Sequence, residues 1–531
     1  MKVRRTSFGG VRLKERLERI PAQRRLPLAV YAVTQLIFLF WWAAFYPGGM
    51  SYDSVSYVWH VTTDHWMSNH SVAYDALVWL SLQGTGDLAI LTFLQSVAMA
   101  ATLAYVAGTL RKFGVPGKWG AAAAIACAAV PSIGSFVIFV WKDVPFVIGA
   151  VLVFGAAGRL VARRMRGMES VHDKAFRNEI AVLFLGFLAM GLFRNNGLLV
   201  AVLAVPVMLI VLPRMRRAVL VATVVPTLIS GLMNVAVYPA LGVTTPTKDQ
   251  VYAMNYADIA VVYGKYPQTF TKADTELMAK VAPLSHWSGR AANCYNADWA
   301  MRPPMDRPAA AKYNTELIDL WTRVLKRTPD QMISARLCRS HIAWSPFPGP
   351  ADKAGNTLVS WPSVPKNLFG WADWNPEMRD SPYRSVLQIR PVNDQLHDIA
   401  FFTWKASKTP QLEWLLFRGA IWCYAAYAVL LVFARRHRSW APLGLMAVPL
   451  ALQLTVVAAN PAPLARYMFA PMFLGILTLP LIAERLRHAK RQRDAVRTEA
   501  SDPVGESEDA SKGESEDVSP TDRDRQTEPV T

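Results

Sequence analysis

Apolar residues run along this chain in long uninterrupted stretches, and the charged residues gather at the ends of those stretches. No Lys or Arg occurs between Leu26 and Leu110, and no charged residue of either sign between Lys118 and Lys142 or between Arg217 and Lys248. A run of ~20 apolar residues crosses the ~30 Å hydrocarbon core of a bilayer as a helix. About ten such helices are predicted, over residues 26–46, 88–110, 119–141, 144–158, 180–193, 198–212, 218–241, 414–434, 441–459 and 467–482.

Charge orders these runs. Every second end is basic: Arg111-Lys112, Arg159 to Arg166, Arg214 to Arg217, Arg435 to Arg438, and Arg485 to Arg493. Under the positive-inside rule these ends are cytoplasmic and the chain is a multi-pass protein of the plasma membrane. The predicted organisation has five parts. These are a basic cytoplasmic N-terminus (1–25), a membrane domain of seven helices with an outer loop at 47–87 (26–241), and an extracytoplasmic α-rich or mixed domain (242–413). Three further membrane helices (414–484) and a basic then acidic disordered tail (485–531) complete it.

Composition supports an all-α polytopic membrane protein: 52% of residues are hydrophobic, with 18 Trp and 19 Met. The net charge of +18 does not indicate nucleic acid, because the excess sits in short clusters between apolar runs. Four cysteines without a CxxC pair exclude a disulfide scaffold and argue against a zinc or thioredoxin-like site. Cys294 and Cys338 are the two in the extracytoplasmic region and are expected to pair; unpaired thiols are the alternative.

Three cations break the orientation bias. Lys142 (followed by Asp143), Arg194 (followed by Asn195, Asn196 and Gly197) and Arg466 (followed by Tyr467) lie at outer ends of apolar runs. One such residue would read as an interfacial anchor. Three on different hairpins point to a shared anionic ligand, a phosphate above all. Arg418 is a weaker fourth. In the first outer loop, Asp53 lies seven residues beyond Tyr46, among aromatics. It is placed to take a proton from a hydroxyl or hold a divalent cation, and its plainer reading is a helix N-cap. His60, Asp64, His65 and His70 follow. The five-residue His spacing does not share a helical face, which disfavours zinc. His70 is the candidate polar contact to substrate, and His60 and His65 read as exposed interfacial residues. Trp361, Trp371 and Trp374 read as packing of the outer domain rather than as a sugar platform.

This layout resembles the GT-C class of membrane glycosyltransferases, which includes protein O-mannosyltransferases, oligosaccharyltransferases and lipid A aminoarabinose transferases, and is closest to actinobacterial-type members. The likeness rests on the acidic first loop from Tyr46-Pro47 through Asp53 to Tyr57, on Ser68-Asn69-His70, and on Lys142-Asp143, Arg194 to Gly197 and Arg466-Tyr467. Ser71 replaces the Pro of the usual His-Pro segment. Ser54 follows Asp53 where some members carry a second acid, which leaves a divalent cation an open question. The resemblance implies a polyprenyl-phosphate-linked sugar as donor, an extracytoplasmic acceptor, and Asp53 as the catalytic carboxylate. Lys142, Arg194 and Arg466 would hold the phosphate, with Asp143, Asn195, Asn196, His70 and Tyr467 around it. The competing expectation is a lipid or solute transporter, or flippase; polar groups at the outer ends rather than at the bilayer midplane speak against it.

Overall fold

The computed structural model describes residues 21–168, 171–347, 349 and 381–484. The N-terminal 20 residues, the stretch carrying Trp361, Trp371 and Trp374, and the tail 485–531 lie outside the described residues. Among the described residues all regular structure is helical; two isolated bridges, Gly49 with Phe139 and Met67 with Thr244, are the β-pairings described.

Helix α1 (Ala22–Ala44) leads to a loop with two shorter helices, α2 (Tyr52–Thr62) and α3 (Val72–Thr85). Then come α4 (Ala89–Lys112), α5 (Gly117–Ala129), α6 (Pro131–Phe136), α7 (Asp143–Met165), α8 (Lys174–Phe193), α9 (Asn196–Val211) and α10 (Arg216–Leu232). Helix α10 continues through a π-helical turn, Met233–Val237, to Ala240. Among the described residues, eight helices are long and apolar enough to cross a membrane, and α9 is a shorter apolar helix.

The expected single span at 119–141 is broken. Pro131 has no N–H to donate and forces Val130 into extended backbone (φ −60°, ψ 119°), so α5 ends at Ala129. At 1.5 Å per residue its 13 residues reach only ~20 Å, short of the hydrocarbon core. The chain after α6 instead runs beside the first loop: Gly49 N–H donates to Ile138 O (2.9 Å) and Val140 N–H to Gly49 O (2.9 Å). Gly49 is required there, because a Cβ would lie 2.6 Å from the Phe139 ring.

The bundle has a basic end and an opposite end. At the basic end Arg166 donates to Lys112 O and Arg164 to Val211 O. Arg159 of α7 pairs with Glu179 of α8 at 3.1 Å and lies 3.8 Å from the Tyr105 ring, so these charges meet inside the bundle rather than lipid.

Between residues 253 and 332 the chain forms its own core around Tyr256, Ile259, Trp287, Leu317 and Leu320. Helices α11 (Ala253–Lys265), α12 (Lys272–Ala279), α13 (Asn314–Arg327) and α14 (Pro329–Arg339) carry it. Cys294 and Cys338 are joined, their Cα atoms 5.8 Å apart. Asp258, fully buried on α11, accepts from Arg336 (2.6 Å), Arg339 (2.7 Å) and Trp321 (3.0 Å). Helix α15 (Asp394–Ser407) then packs on α1. The expected span from 414 starts later, with α16 (Gly419–Arg436), and α17 (Ala447–Ala458) and α18 (Phe469–Thr478) follow.

Removing the shared carboxylate should unfold this region. Arg339 is fully buried, and an uncompensated buried charge costs roughly 3–5 kcal/mol. Asp258→Ala should therefore become sensitive to limited proteolysis within 253–339 while the membrane helices stay protected; unchanged resistance would contradict the role given to this ion pair.

Candidate functional site

At the end opposite the basic clusters, residues from five separate stretches meet. Asp53 sits in the first turn of α2. Its N-cap reading is corrected: Ser51 is the N-cap, its Oγ accepts from Asp53 N–H (3.2 Å), and Ser54 Oγ accepts from Ser51 N–H (2.9 Å). Those hydroxyls satisfy the helix start and leave the Asp53 carboxylate for Arg466, whose Nη1 donates to Oδ2 at 2.5 Å across 413 positions of sequence. Trp141 donates to Ser51 Oγ and Ser54 Oγ donates to Val140 O (2.9 Å), so the extended segment before α7 fixes the same turn.

Lys142, just before α7, has Nζ 3.4 Å from His70 Nδ1. Asp143, 2% exposed, pairs with Arg194 at the end of α8. The two arginines flank one ring: the guanidinium carbons of Arg194 and Arg466 lie 4.8 and 5.2 Å from the Tyr467 centroid, and Arg466 also lies 5.1 Å from the Trp141 ring. Arg466 is held by a close helix approach behind it, where a Cβ on Gly419 would come 2.3 Å from Met468 Cβ. Ser71, in place of a proline, caps α3 by accepting from Tyr74 N–H (3.1 Å) and donates to Leu192 O (2.8 Å), tying the His70 loop to the turn that carries Arg194.

The structure thus brings together Asp53, His70, Lys142, Asp143, Arg194, Arg466 and Tyr467. Asn195 and Asn196 lie next to the cluster in sequence, but Asn195 is exposed and lines a separate cavity. Arg418 is not a member: it is fully buried and pairs with Glu413 at 3.0 Å. His60 is also corrected. It is 1% exposed rather than interfacial, and its Nδ1 meets Asp75 Oδ2 at 3.0 Å; His65 is exposed and stacks on Trp59. Among the described residues, no group of three or more His, Cys, Asp or Glu is arranged to hold a metal ion.

Burial alone would raise the pKa of Asp53, but the positive charge of Arg466, with that of Lys142 and the Arg466 hydrogen bond adding to it, holds its carboxyl well below the usual range. Burial pulls Lys142 down from its ordinary value, opposed by Asp53 and Asp143. His70 is lowered to about 3, by burial first and by Lys142 next, with Asp53 opposing. The imidazole is therefore neutral at physiological pH.

One acid escaped the sequence reading. Asp298 stands on a turn, Ala297–Met301, whose Ala297 N–H donates to Pro461 O (2.9 Å) five residues before Arg466. Its side chain is exposed, with protein close by on one side. That proximity raises its pKa, Arg302 and Arg466 oppose the rise and Asp53 adds to it. No local signal marks it in the sequence; only the fold puts it near Asp53.

These features define an all-helical polytopic membrane protein with a cluster of paired charges at one end of its bundle. The chain belongs to the Family of unknown function (DUF6020), whose profile matches residues 33–298. That stretch carries Asp53, His70, Lys142, Asp143, Arg194 and Asp298 but not Arg466. No curated protein and no solved structure matches the chain.

A depressed His70 pKa ties stability to pH. The unfolded chain binds a proton near 6.5 that the folded chain refuses down to about 3, so stability is full above 6.5 and declines as pH falls between those values. His70→Gln should flatten this decline in thermal unfolding followed by intrinsic fluorescence. An identical pH dependence in the variant would show that His70 is not held neutral.

Proposed function

We propose that this protein is a glycosyltransferase of the GT-C type, moving a sugar from a polyprenyl-phosphate donor to an acceptor outside the cytoplasm. In this reading the chain crosses the plasma membrane about ten times, with the region 242–413 on the outer side. The single observation that carries it is the joining of Asp53 to Arg466 within one cluster that also holds Lys142, Asp143 and Arg194. With Lys142 protonated, three cations stand against two carboxylates. The remaining positive charge matches the one negative charge of a phosphodiester, and a single anion in a region of low dielectric needs such a partner.

The chemistry follows from placement. As the bond from the anomeric carbon to the phosphate oxygen breaks, charge builds on the departing polyprenyl phosphate. Arg194, Arg466 and Lys142 stabilise it there. Asp53, kept ionised by Arg466, stabilises the positive charge on the anomeric carbon and orients the acceptor hydroxyl. That hydroxyl forms the new carbon–oxygen bond and gives up its proton. Asp298, an exposed carboxylate on the neighbouring turn, takes that proton and passes it to solvent. His70, neutral, and Tyr467 supply hydrogen bonds without adding charge.

Two variants test this. Asp53→Asn should lose sugar transfer while polyprenyl-phosphate binding is kept or tightened, because the carboxylate acts on the reacting carbon and its loss frees Arg466 for the phosphate. Arg194→Ala alone would strand a buried Asp143, so the phosphate grip is tested with Arg194→Gln combined with Asp143→Asn. Loss of one charge-assisted contact should weaken polyprenyl-phosphate binding by roughly 1.5–3 kcal/mol. Binding is measured on the full chain in nanodiscs, and transfer with radiolabelled polyprenyl-phosphate sugars and envelope extract. Full transfer by Asp53→Asn, or unchanged binding in the double variant, would rule the mechanism out.

A further inference from the structure

Beside the charge cluster lies a cavity of about 390 Å³, in the range of small-ligand sites. Its walls come from the end of α8, the start of α9, the outer part of α10 and the loops at Ser68 and Thr245. No charged residue lines it. Uncharged polar residues, Ser68, Asn195, Thr227, Ser230, Asn234 and Thr245, alternate there with Leu198, Val235, Pro246 and two glycines.

The polar groups on α10 are set in one sense. Thr227 Oγ1 donates to Thr223 O (2.7 Å), Ser230 Oγ to Pro226 O (2.9 Å) and Asn234 Nδ2 to Ser230 O (2.9 Å). The hydroxyl protons of Thr227 and Ser230 and one amide proton of Asn234 are committed to the helix's own carbonyls, so the three side-chain oxygens remain as acceptors for a ligand that brings its own donors. A π-helical turn, Met233–Val237, forms part of the wall; such turns occur often at functional sites. Around the cavity the surface is bilayer-like: Leu198 is 51%, Leu228 64%, Leu232 60% and Val235 81% exposed. Asn195 follows Arg194 directly, and Ser68 precedes His70 by two residues, so the cavity and the charge cluster share two loops.

We infer that this cavity seats a membrane lipid with an uncharged, hydroxyl-bearing head, chains in the bilayer against Leu198 and Val235, positioned as the acceptor of the neighbouring charge cluster. The head is uncharged because the walls offer no counter-charge, while an anionic phosphate is served by Lys142, Arg194 and Arg466. It bears hydroxyls because the walls present acceptors. The acceptor role rests on the transferase reading; the binding site does not.

The test uses the full chain in nanodiscs with a photoactivatable monohexosyl diacylglycerol as probe. Cross-links should map to residues 195–198 and 227–235. Phosphatidic acid carrying the same photoactivatable chain, and the probe with its sugar hydroxyls methylated, should label these residues poorly. Gly231→Leu fills the cavity, since a Cβ there meets nothing within 4 Å. It should lower labelling about tenfold, the effect of displacing a couple of buried methylene contacts. Asn195→Leu, at an exposed position, is the second variant should the first not fold. Equal labelling by phosphatidic acid or by the methylated probe, labels elsewhere, or labelling untouched by both variants would overturn the site. Absence of the label on the unsubstituted chain, with its polyprenyl-phosphate binding intact, would sink this inference alone. An intact label together with absent polyprenyl-phosphate binding would leave the lipid site standing and remove its role as acceptor.

Discussion

Charge cannot be left unpaired at the edge of a hydrocarbon layer, and the contact between Asp53 and Arg466 is where this chain meets that constraint most directly. Each residue alone would be expensive in a region 15–20% exposed. Together they draw the first outer loop and the turn before α18 to the same place. The Ser51 and Ser54 cap, the close passage of Gly49 along Phe139 and the approach of Gly419 to Met468 all hold one or the other partner in position. Asp143 and Arg194 repeat the arrangement between α7 and α8, so four charged residues of the cluster come as two pairs.

Pairing also sets what the site can do. A cation already matched to a carboxylate offers less to an incoming anion than a bare one, yet it stays desolvated and fixed in place. The nearby faces of Tyr467 and Trp141 attract both guanidinium groups without neutralising them. The net excess of one charge is small, which favours a ligand of matching small charge over a multiply charged one.

Much of this was legible in the residues. Lys142, Arg194 and Arg466 stood out because cations at outer ends oppose the orientation bias, and Asp53 because of the cation-free loop around it. The apolar runs marked nearly every long helix. What stayed hidden was long-range. A proline inside an apolar run does not announce whether neighbouring helices will tolerate it, so the break at Val130-Pro131 was missed. The partner of Arg418 is Glu413, a local contact that an outer-end count treats as ligand-binding. His60 is buried through Asp75, fifteen residues on, a pairing that helical periodicity does not disclose. Asp298 belongs to a region whose pattern is that of any small helical domain, and only the Ala297–Pro461 contact brings it to the site.

The 413 residues separating Asp53 from its partner have a consequence for biosynthesis. A chain is made from its N-terminus, and the loop bearing Asp53 is complete long before residue 466 leaves the ribosome. Throughout that interval Asp53 must remain hydrated or find a temporary partner. The region carrying Asp298 must also fold before the turn at Pro461 exists to receive it. The site is therefore assembled last, by the final hairpin docking onto a loop that has waited for it. A chain halted before Arg466 holds every earlier helix of the bundle but none of the charge pairing that Arg466 completes.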